Sequence, residues 1–373
     1  MWYNLEKKVK TWAIRQFDRR LPRTIHTPEE IEWSSVQRVL VIRQHDQFGD
    51  FLLTTPAIRA LRNRFPSAYM ALVVRPYLLP VAQNNPDVDD VFIFQESGWG
   101  WRPLQSVNLF NKVRNNFDLA VVFNTVSHSL SSDLIARISQ APLVLGPAEP
   151  TFDHCDGNPF YTLVAPIDVK PKHQVQRNLD VVRYIGADTQ DESYGFALTD
   201  DERISGYREK SRLVHGPGIK TVAVHFGTKD INKRYPIPRL AALCNRINQS
   251  DNHVRLIIIR APDGTAAFKE LVSRLETTPL VAPEMKLREV AALLNAVDLL
   301  VCNDTGILHL ASAVKTPTVS FHAISDPAMW KPPGTRHTAL HAENGDIATL
   351  SVDLALGKVM ESLNFSTGSS CAS

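Results

Sequence analysis

Apolar, β-branched runs of strand length recur along this chain and alternate with stretches of helical spacing. The runs are Val36–Ile42 (VQRVLVI), Tyr69–Val74 (YMALVV), Val91–Phe94 and Leu119–Phe123 (LAVVF), then Thr221–His225 (TVAVH), Val254–Ile259 (VRLIII), Leu299–Cys302 and Thr318–Phe321. FLLTTPAIRALRNRFP sets Leu53, Ile58 and Leu61 on one helical face, and Leu240–Asn248, Lys286–Ala296 and Gly306–Val314 read as further helices. Strands alternating with helices give βαβ units and a parallel sheet, so the fold class is α/β. The pattern breaks over residues 186–218, a polar stretch with Gly206, Gly216, Pro217 and Gly218, and then restarts. A chain of 373 residues exceeds the roughly 250–300 at which one core stops growing. Two doubly wound halves are therefore expected, with ligands beyond the carboxyl ends of their strands, in a crevice between the two.

The expected domains are 1–35 (an amphipathic helix and linker), 36–200, 201–345, and 346–373 (a closing helix and flexible tail). In residues 1–20, Trp2, Leu5, Val9, Trp12 and Phe17 alternate with Lys7, Lys8, Lys10, Arg15, Arg19 and Arg20. Such a helix either docks on its own domain or lies on an anionic membrane surface. A hydrophobic content of 44% excludes a disordered chain. Lys plus Arg number 41 against 39 Asp plus Glu, a net charge of +2, without the basic excess of a nucleic-acid binder. Cys155, Cys244, Cys302 and Cys371 form no CxxC pair, which points away from zinc and disulfides and toward a reducing compartment. No apolar run is long enough to span a bilayer. MWYNLEKKVK carries charges where a signal peptide needs an apolar stretch, so a cytoplasmic location is expected.

Three segments hold residues suited to chemistry. Asp50 follows the first strand and Gly49, which permits a tight turn, and begins a helix. Its carboxylate would be either a general base, if burial raises its pKa, or a helix cap. HFGTKDINKRYP offers Gly227, Thr228, Lys229, Lys233 and Arg234 ahead of a helix, which suits a phosphate although the spacing is not that of a Walker A loop. In NDTGILH, Asp304 could accept two sugar hydroxyls, and Thr305 and Gly306 could present N–H groups to a phosphate. His309, one turn into the next helix, is expected to pack beside the site. Asp46 reads as a loop residue. Asp87-Val88-Asp89 has the form of a metal–diphosphate motif but lies in a Pro-led turn, where solvated carboxylates are expected. His154-Cys155-Asp156 are adjacent residues that do not easily converge on one ion. No GxGxxG follows the first strand, and there is no GxSxG elbow.

RVLVIRQHDQFGDFLLTTPAIRALRNRFPSAYMALVV resembles the opening of the lipopolysaccharide core heptosyltransferases, glycosyltransferase family nine. NPDVDDVFIF, HFGTKDINKRYP and LLVCNDTGILHLASAVKTPTVSFHAISDPAMWKPPG are similar to the family's later elements, in order, over roughly residues 37–335. The resemblance implies a GT-B fold, two Rossmann-like domains facing each other across a cleft, with the acceptor on the first and the nucleotide sugar on the second. It implies an inverting transfer, without a metal or other cofactor, from a nucleotide diphosphate sugar, usually ADP-heptose, to the inner core on lipid A. By the same resemblance Asp50 matches the base, and Thr228 and Lys233 the donor-phosphate ligands. Asp304 matches the sugar-hydroxyl ligand, with Thr305 and Gly306 near the diphosphate. Met285 matches the residue whose backbone meets adenine, Asp263 falls near the ribose, and Gly49 and His309 stand beside the site. The expected partners are a nucleotide-sugar donor and a lipid-linked or polysaccharide acceptor, with residues 1–20 at the inner face of the cytoplasmic membrane; nucleic acid is not expected. Two alternatives stay open: a family-nine transferase using another nucleotide sugar and a polysaccharide acceptor, and an inactive nucleotide-sugar-binding scaffold.

Overall fold

Strand β1, Arg38–Ile42, is wholly buried from Val39 onward, as a strand covered by helices on both faces must be. It lies between β2, Tyr69–Val74, and β4, Leu119–Val122, and pairs parallel with both. With β3 (Asp90–Ile93), β5 (Leu143–Pro147) and β6 (Leu163–Ala165) it forms a six-stranded sheet of order β3-β2-β1-β4-β5-β6, every pair parallel. The computed structural model describes residues 23–365 apart from 98–99, 102, 149–157, 169 and 261–264. The expected helix at residues 1–20, the tail beyond 365, Asp263 and the His154–Asp156 triplet thus lie outside the described residues.

The second half repeats the arrangement. β7 (Lys220–His225), β8 (Val254–Ile259), β9 (Leu280–Val281), β10 (Leu299–Asn303), β11 (Thr318–His322) and β12 (His337–His341) form a second parallel sheet of order β9-β8-β7-β10-β11-β12. Both are doubly wound sheets of the dinucleotide-binding order. The chain divides into two compact units between Gly195 and Phe196. In the first, Leu40, Ile42, Val73, Phe94 and Val122 share a core with helix-borne Leu109, Val113 and Ile135. In the second, Val224, Ile258, Val301 and Phe321 pack with Leu243, Ile247 and Val359.

The polar stretch 186–218 is not simply a linker. It contains a helix, Asp200–Leu213, that opens the second unit, so a boundary at 200/201 would cut its first turn. Thr199 caps it: the hydroxyl accepts the Glu202 N–H at 3.2 Å, and Glu202 accepts the Thr199 N–H at 2.8 Å. The helix packs on Leu287–Ala296 so closely that a Cβ on Gly206 would meet the Ala292 carbonyl oxygen at 2.1 Å. Two bonds from Arg288 to Glu202, at 2.5 and 2.6 Å, lock the pair and pull the Glu202 carboxyl down to about 2. The closing helix is Val352–Phe365, and its Ala355, Val359 and Leu363 are buried. Among the described residues no helix is long and apolar enough to cross a membrane.

Candidate active site

All strands of a parallel sheet point the same way, so the segments that follow them emerge along one edge. In the first unit this edge carries Arg43–Asp50 after β1, Arg75 after β2, and Asn124–Ser129 after β4. These segments are bonded to one another. Arg75 Nε donates to Gln44 Oε1 at 2.8 Å, and Gln44 Nε2 donates to the hydroxyls of Ser129 (2.8 Å), Ser131 (2.9 Å) and Ser132 (3.0 Å). Arg43 is fully buried, and its Nη1 donates to Asp46 Oδ2 at 2.9 Å and to the Phe123 carbonyl at 2.7 Å. Burial pulls the Arg43 pKa below its usual value, against the opposing pull of Asp46 and Asp50. Asp46 is therefore more than a loop residue. It turns the chain at φ +67°, pairs with Arg43 and accepts the Ser127 hydroxyl.

Asp50 is the third residue of helix α1, Phe48–Leu52. The cap position belongs to Gln47, and the Asp50 carboxylate reaches back to accept the Gln47 N–H at 3.0 Å. That bond stabilises the turn and holds the carboxylate at the strand edge. Gly49 is buried beside it. Asp50 is half-buried, whereas another carboxylate, Asp133, is fully buried and accepts from His128 Nε2 (2.7 Å), Tyr161 OH (2.6 Å), Asn124 Nδ2 (3.1 Å) and Asn158 Nδ2 (3.2 Å). No spacing in the sequence announces these partners, which come from two separate segments, 124–128 and 158–161.

In the second unit the corresponding edge carries the loop after β7, the 283–286 turn after β9, Asp304 after β10 and Ser325 after β11. Three of these meet. Lys233 Nζ donates to Asp304 Oδ2 at 3.1 Å and to Ser325 Oγ at 2.8 Å, and Ser325 Oγ donates to the same Asp304 oxygen at 2.5 Å. Asn303 braces the loop from below: its Oδ1 accepts the Tyr235 N–H at 2.9 Å and its Nδ2 donates to the Phe226 carbonyl at 3.0 Å. The Tyr235 ring stacks on Phe321 at 4.0 Å, 3° from parallel, and its hydroxyl donates to the Leu350 carbonyl. Asp304 leads into helix α2, Gly306–Ala313, whose Thr305 cap side chain takes none of the helix's N–H groups. The α2 N-terminus thus opens beside Lys233, and the two positive ends favour an anion.

Burial pushes the Asp304 carboxyl up, but His322, the Ser325 hydrogen bond, Lys233 and His309 together hold it below the usual carboxylate value. Burial holds His322 down to about 4. At neutral pH His322 is therefore uncharged, and the positive charge facing Asp304 is that of Lys233.

The structure brings Lys233 and Asp304 together and sets Thr305 and Gly306 next to them. Gly227 is buried and Thr228 half-buried in the loop after β7, where the Thr228 hydroxyl donates to the Asp230 carbonyl at 3.1 Å. Met285 is half-buried in the turn ahead of Leu287–Ala296. His309 is buried within α2. Ser325 and Asn303 are additions; the signal for Ser325 was its place immediately beyond a strand adjacent to β10. Asp87 departs from the expected solvated turn, and Asp89 is exposed as expected but bonded. Asp87 is buried against Arg59 at 3.5 Å, while Asp89 binds Arg62 at 2.7 Å and accepts the Met70 N–H at 2.7 Å. Both tie the turn before β3 to the helix Thr55–Arg64, Asp87 from a buried position and Asp89 from an exposed one.

Two Rossmann-like α/β units with polar clusters at their strand ends are the architecture of GT-B glycosyltransferases. The chain belongs to glycosyltransferase family 9 (heptosyltransferase), whose model matches residues 107–359. It is 24% identical over 291 residues to lipopolysaccharide heptosyltransferase 3 of Escherichia coli strain K12, covering 76% of this chain and 82% of that protein. Among solved structures it is similar to a family 9 glycosyl transferase from Veillonella parvula, with a TM-score of 0.76 and 20% identity over 88% of this chain and 97% of that one. It is also similar to the E. coli ADP-heptose LPS heptosyltransferase II, with a TM-score of 0.71 and 18% identity over 89% and 100%. The protein is thus a glycosyltransferase of the heptosyltransferase family.

Proposed function

We propose that this enzyme transfers a heptose from ADP-heptose to a sugar hydroxyl of a lipopolysaccharide core acceptor, with inversion and without a metal. The observation that carries the reading is the bonded cluster of Lys233, Asp304 and Ser325 beside the open N-terminus of α2. The names of the similar proteins support heptose, ADP and lipopolysaccharide as the substrate classes. In this reading Asp50 takes the proton from the acceptor hydroxyl, which attacks the anomeric carbon opposite the leaving diphosphate. ADP departs with its bonding electron pair. Lys233, the Thr228 hydroxyl and the N–H groups of Thr305 and Gly306 meet the charge that develops on it. Asp304 accepts donor-sugar hydroxyls, the Met285 backbone meets adenine, Asp263 lies near the ribose, and Gly49 and His309 support the site. Residues 1–20 hold the enzyme at an anionic membrane surface, where a lipid-linked acceptor is found.

The test is transfer itself. Wild-type and Asp50→Asn enzyme are incubated with ADP-heptose and heptose-deficient lipopolysaccharide, and the core is weighed by mass spectrometry. One added heptose in the wild type, strongly reduced in the variant, supports the reading. Transfer from a UDP- or GDP-sugar instead would refute the donor, and undiminished transfer by Asp50→Asn would refute the base.

A further inference from the structure

The turn that carries Asp50 is too short to hold itself. α1 spans five residues, Phe48–Leu52, and a helix of that length is not stable alone in water. It does not run on into the next helix, Thr55–Arg64: Pro56 has no N–H to offer the Leu52 carbonyl four residues earlier. Side chains take the carbonyls at its C-terminal end instead. Thr54 Oγ1 donates to the Asp50 carbonyl at 3.0 Å, and Thr55 Oγ1 to the Leu52 carbonyl at 2.7 Å. Asn178 Nδ2, from the helix Gln174–Arg183, donates to the Leu53 carbonyl at 2.9 Å. All three side chains are fully buried.

The Thr55 hydroxyl also accepts. The Gly195 N–H reaches its Oγ1 at 2.9 Å from 140 residues further along the chain. Gly195 is the last residue of the first unit, and it is closely packed: a Cβ there would meet both Asn85 amide atoms at 3.1 Å and Asp87 Oδ2 at 3.2 Å. One helical turn beyond Thr55, Arg59 Nη1 donates to the Ser193 carbonyl at 2.7 Å and pairs with Asp191 at 2.8 Å. The segment 191–195 is thus fastened to the helix Thr55–Arg64, and through one hydroxyl to α1. At its other end α1 is closed by the Asp50 carboxylate on the Gln47 N–H. The place of that carboxylate therefore follows the place of the α1 backbone, and a shift of about 1 Å in a reacting group can cost a hundredfold in rate.

We propose that Thr55 is a positioning residue for the transfer reaction, its hydroxyl fixing α1 and thereby the Asp50 carboxylate. The proposal rests on Asp50 being the base, as read above. Thr55→Val keeps the shape of the side chain and removes both bonds, whereas Thr55→Ser keeps the hydroxyl. With rates taken per ADP-binding site in the full chain, the valine variant should lose roughly ten- to a hundredfold in kcat. Its KM for ADP-heptose should change less than about twofold, and serine should restore kcat to within about threefold of wild type. In an Asp50→Asn background the valine substitution should cost less than about twofold, because a group that acts through Asp50 then has nothing to position. An equal loss in both backgrounds, or wild-type kcat in Thr55→Val, would overturn the positioning role and leave Asp50 as the base. Wild-type turnover by Asp50→Asn would refute the base and the positioning role together. Hydrogen exchange over residues 47–54 reads the link without substrate and should be at least about tenfold faster in the valine variant than in wild type or serine. If ADP-heptose gives no transfer, the donor reading fails and exchange decides the rest: unchanged rates overturn the role of Thr55.

Discussion

Replacing Lys233 by methionine keeps the length of the side chain and removes its charge. In the ligand-free enzyme this leaves Asp304 with Ser325 as the remaining bonded member of the cluster. At the observed 3.1 Å the bare attraction at an effective dielectric of 20 is roughly 5 kcal/mol. Desolvation offsets most of it. Exposed pairs are worth about 0–1 kcal/mol, and breaking a buried one costs about 3–5. The Lys233 side chain is 31% exposed and that of Asp304 11%, so a loss of about 2 kcal/mol is expected. That lowers the melting temperature of the second unit by roughly 4–8 °C. The pH dependence tests the assignment of charge. The folded pKa of Asp304 lies below its unfolded value of about 3.9. Its contribution is therefore complete above the unfolded pKa and is lost only as pH falls through the folded one. The difference between wild type and Lys233→Met should thus be flat from pH 5 to pH 8 in thermal melts. A step in that interval would mean that a histidine supplies the charge, and would refute the argument that His322 is neutral. Catalysis should fall about a hundredfold, the effect of removing one donor from a developing anion. A loss below threefold would show that Lys233 does not meet the leaving diphosphate.

Asp50→Asn should lower kcat about 10²–10⁴-fold and leave ADP affinity unchanged in calorimetry, since asparagine still offers an oxygen to the Gln47 N–H. Asn303→Leu strands the Tyr235 N–H and the Phe226 carbonyl, and should destabilise the second unit by about 2–5 kcal/mol in urea unfolding; a change under 1 kcal/mol would mean that water replaces both bonds. Turnover should persist in EDTA, and a loss restored by magnesium would contradict the metal-free reading. Removing residues 1–20 should abolish co-sedimentation with anionic vesicles, and unchanged sedimentation would place the membrane contact elsewhere or nowhere.

The central strands could be read from the sequence because their burial demands unbroken apolar runs: Tyr69–Val74 and Val254–Ile259 coincide with β2 and β8. The missed strands had weaker signals. β5 contains Gly146 and Pro147, β9 has two residues, and the edge strand β12 mixes histidine and threonine with its apolar residues. The helix Asp200–Leu213 reads as linker because only Gly206 in it is buried; its inward face is defined by closeness to Ala292, which leaves no hydrophobic stripe. Lys233 and Asp304 were each visible as members of a loop after a strand. Their meeting is set by sheet order, which makes β7 and β10 neighbours and places β11 beside β10. Composition along the chain does not encode that order directly, so Ser325, an unremarkable serine after β11, was missed.

The cluster also explains how one lysine can hold the site together and still act on a substrate. An ammonium has three N–H donors, and two directions are occupied, toward Asp304 and Ser325. The third remains for a phosphate oxygen, so in the proposed mechanism the donor need not break the ion pair to enter. Retaining the pair also favours catalysis. A lysine released from Asp304 on binding would spend part of its interaction on the ground state, whereas one already fixed meets charge that develops only as the diphosphate departs. Asp304 gains by the same arrangement: Lys233 and Ser325 share Oδ2, which favours the ionised carboxylate and, in the proposed mechanism, leaves its other oxygen to accept a sugar hydroxyl. Three residues from three strand ends thus settle charge and orientation before any substrate binds.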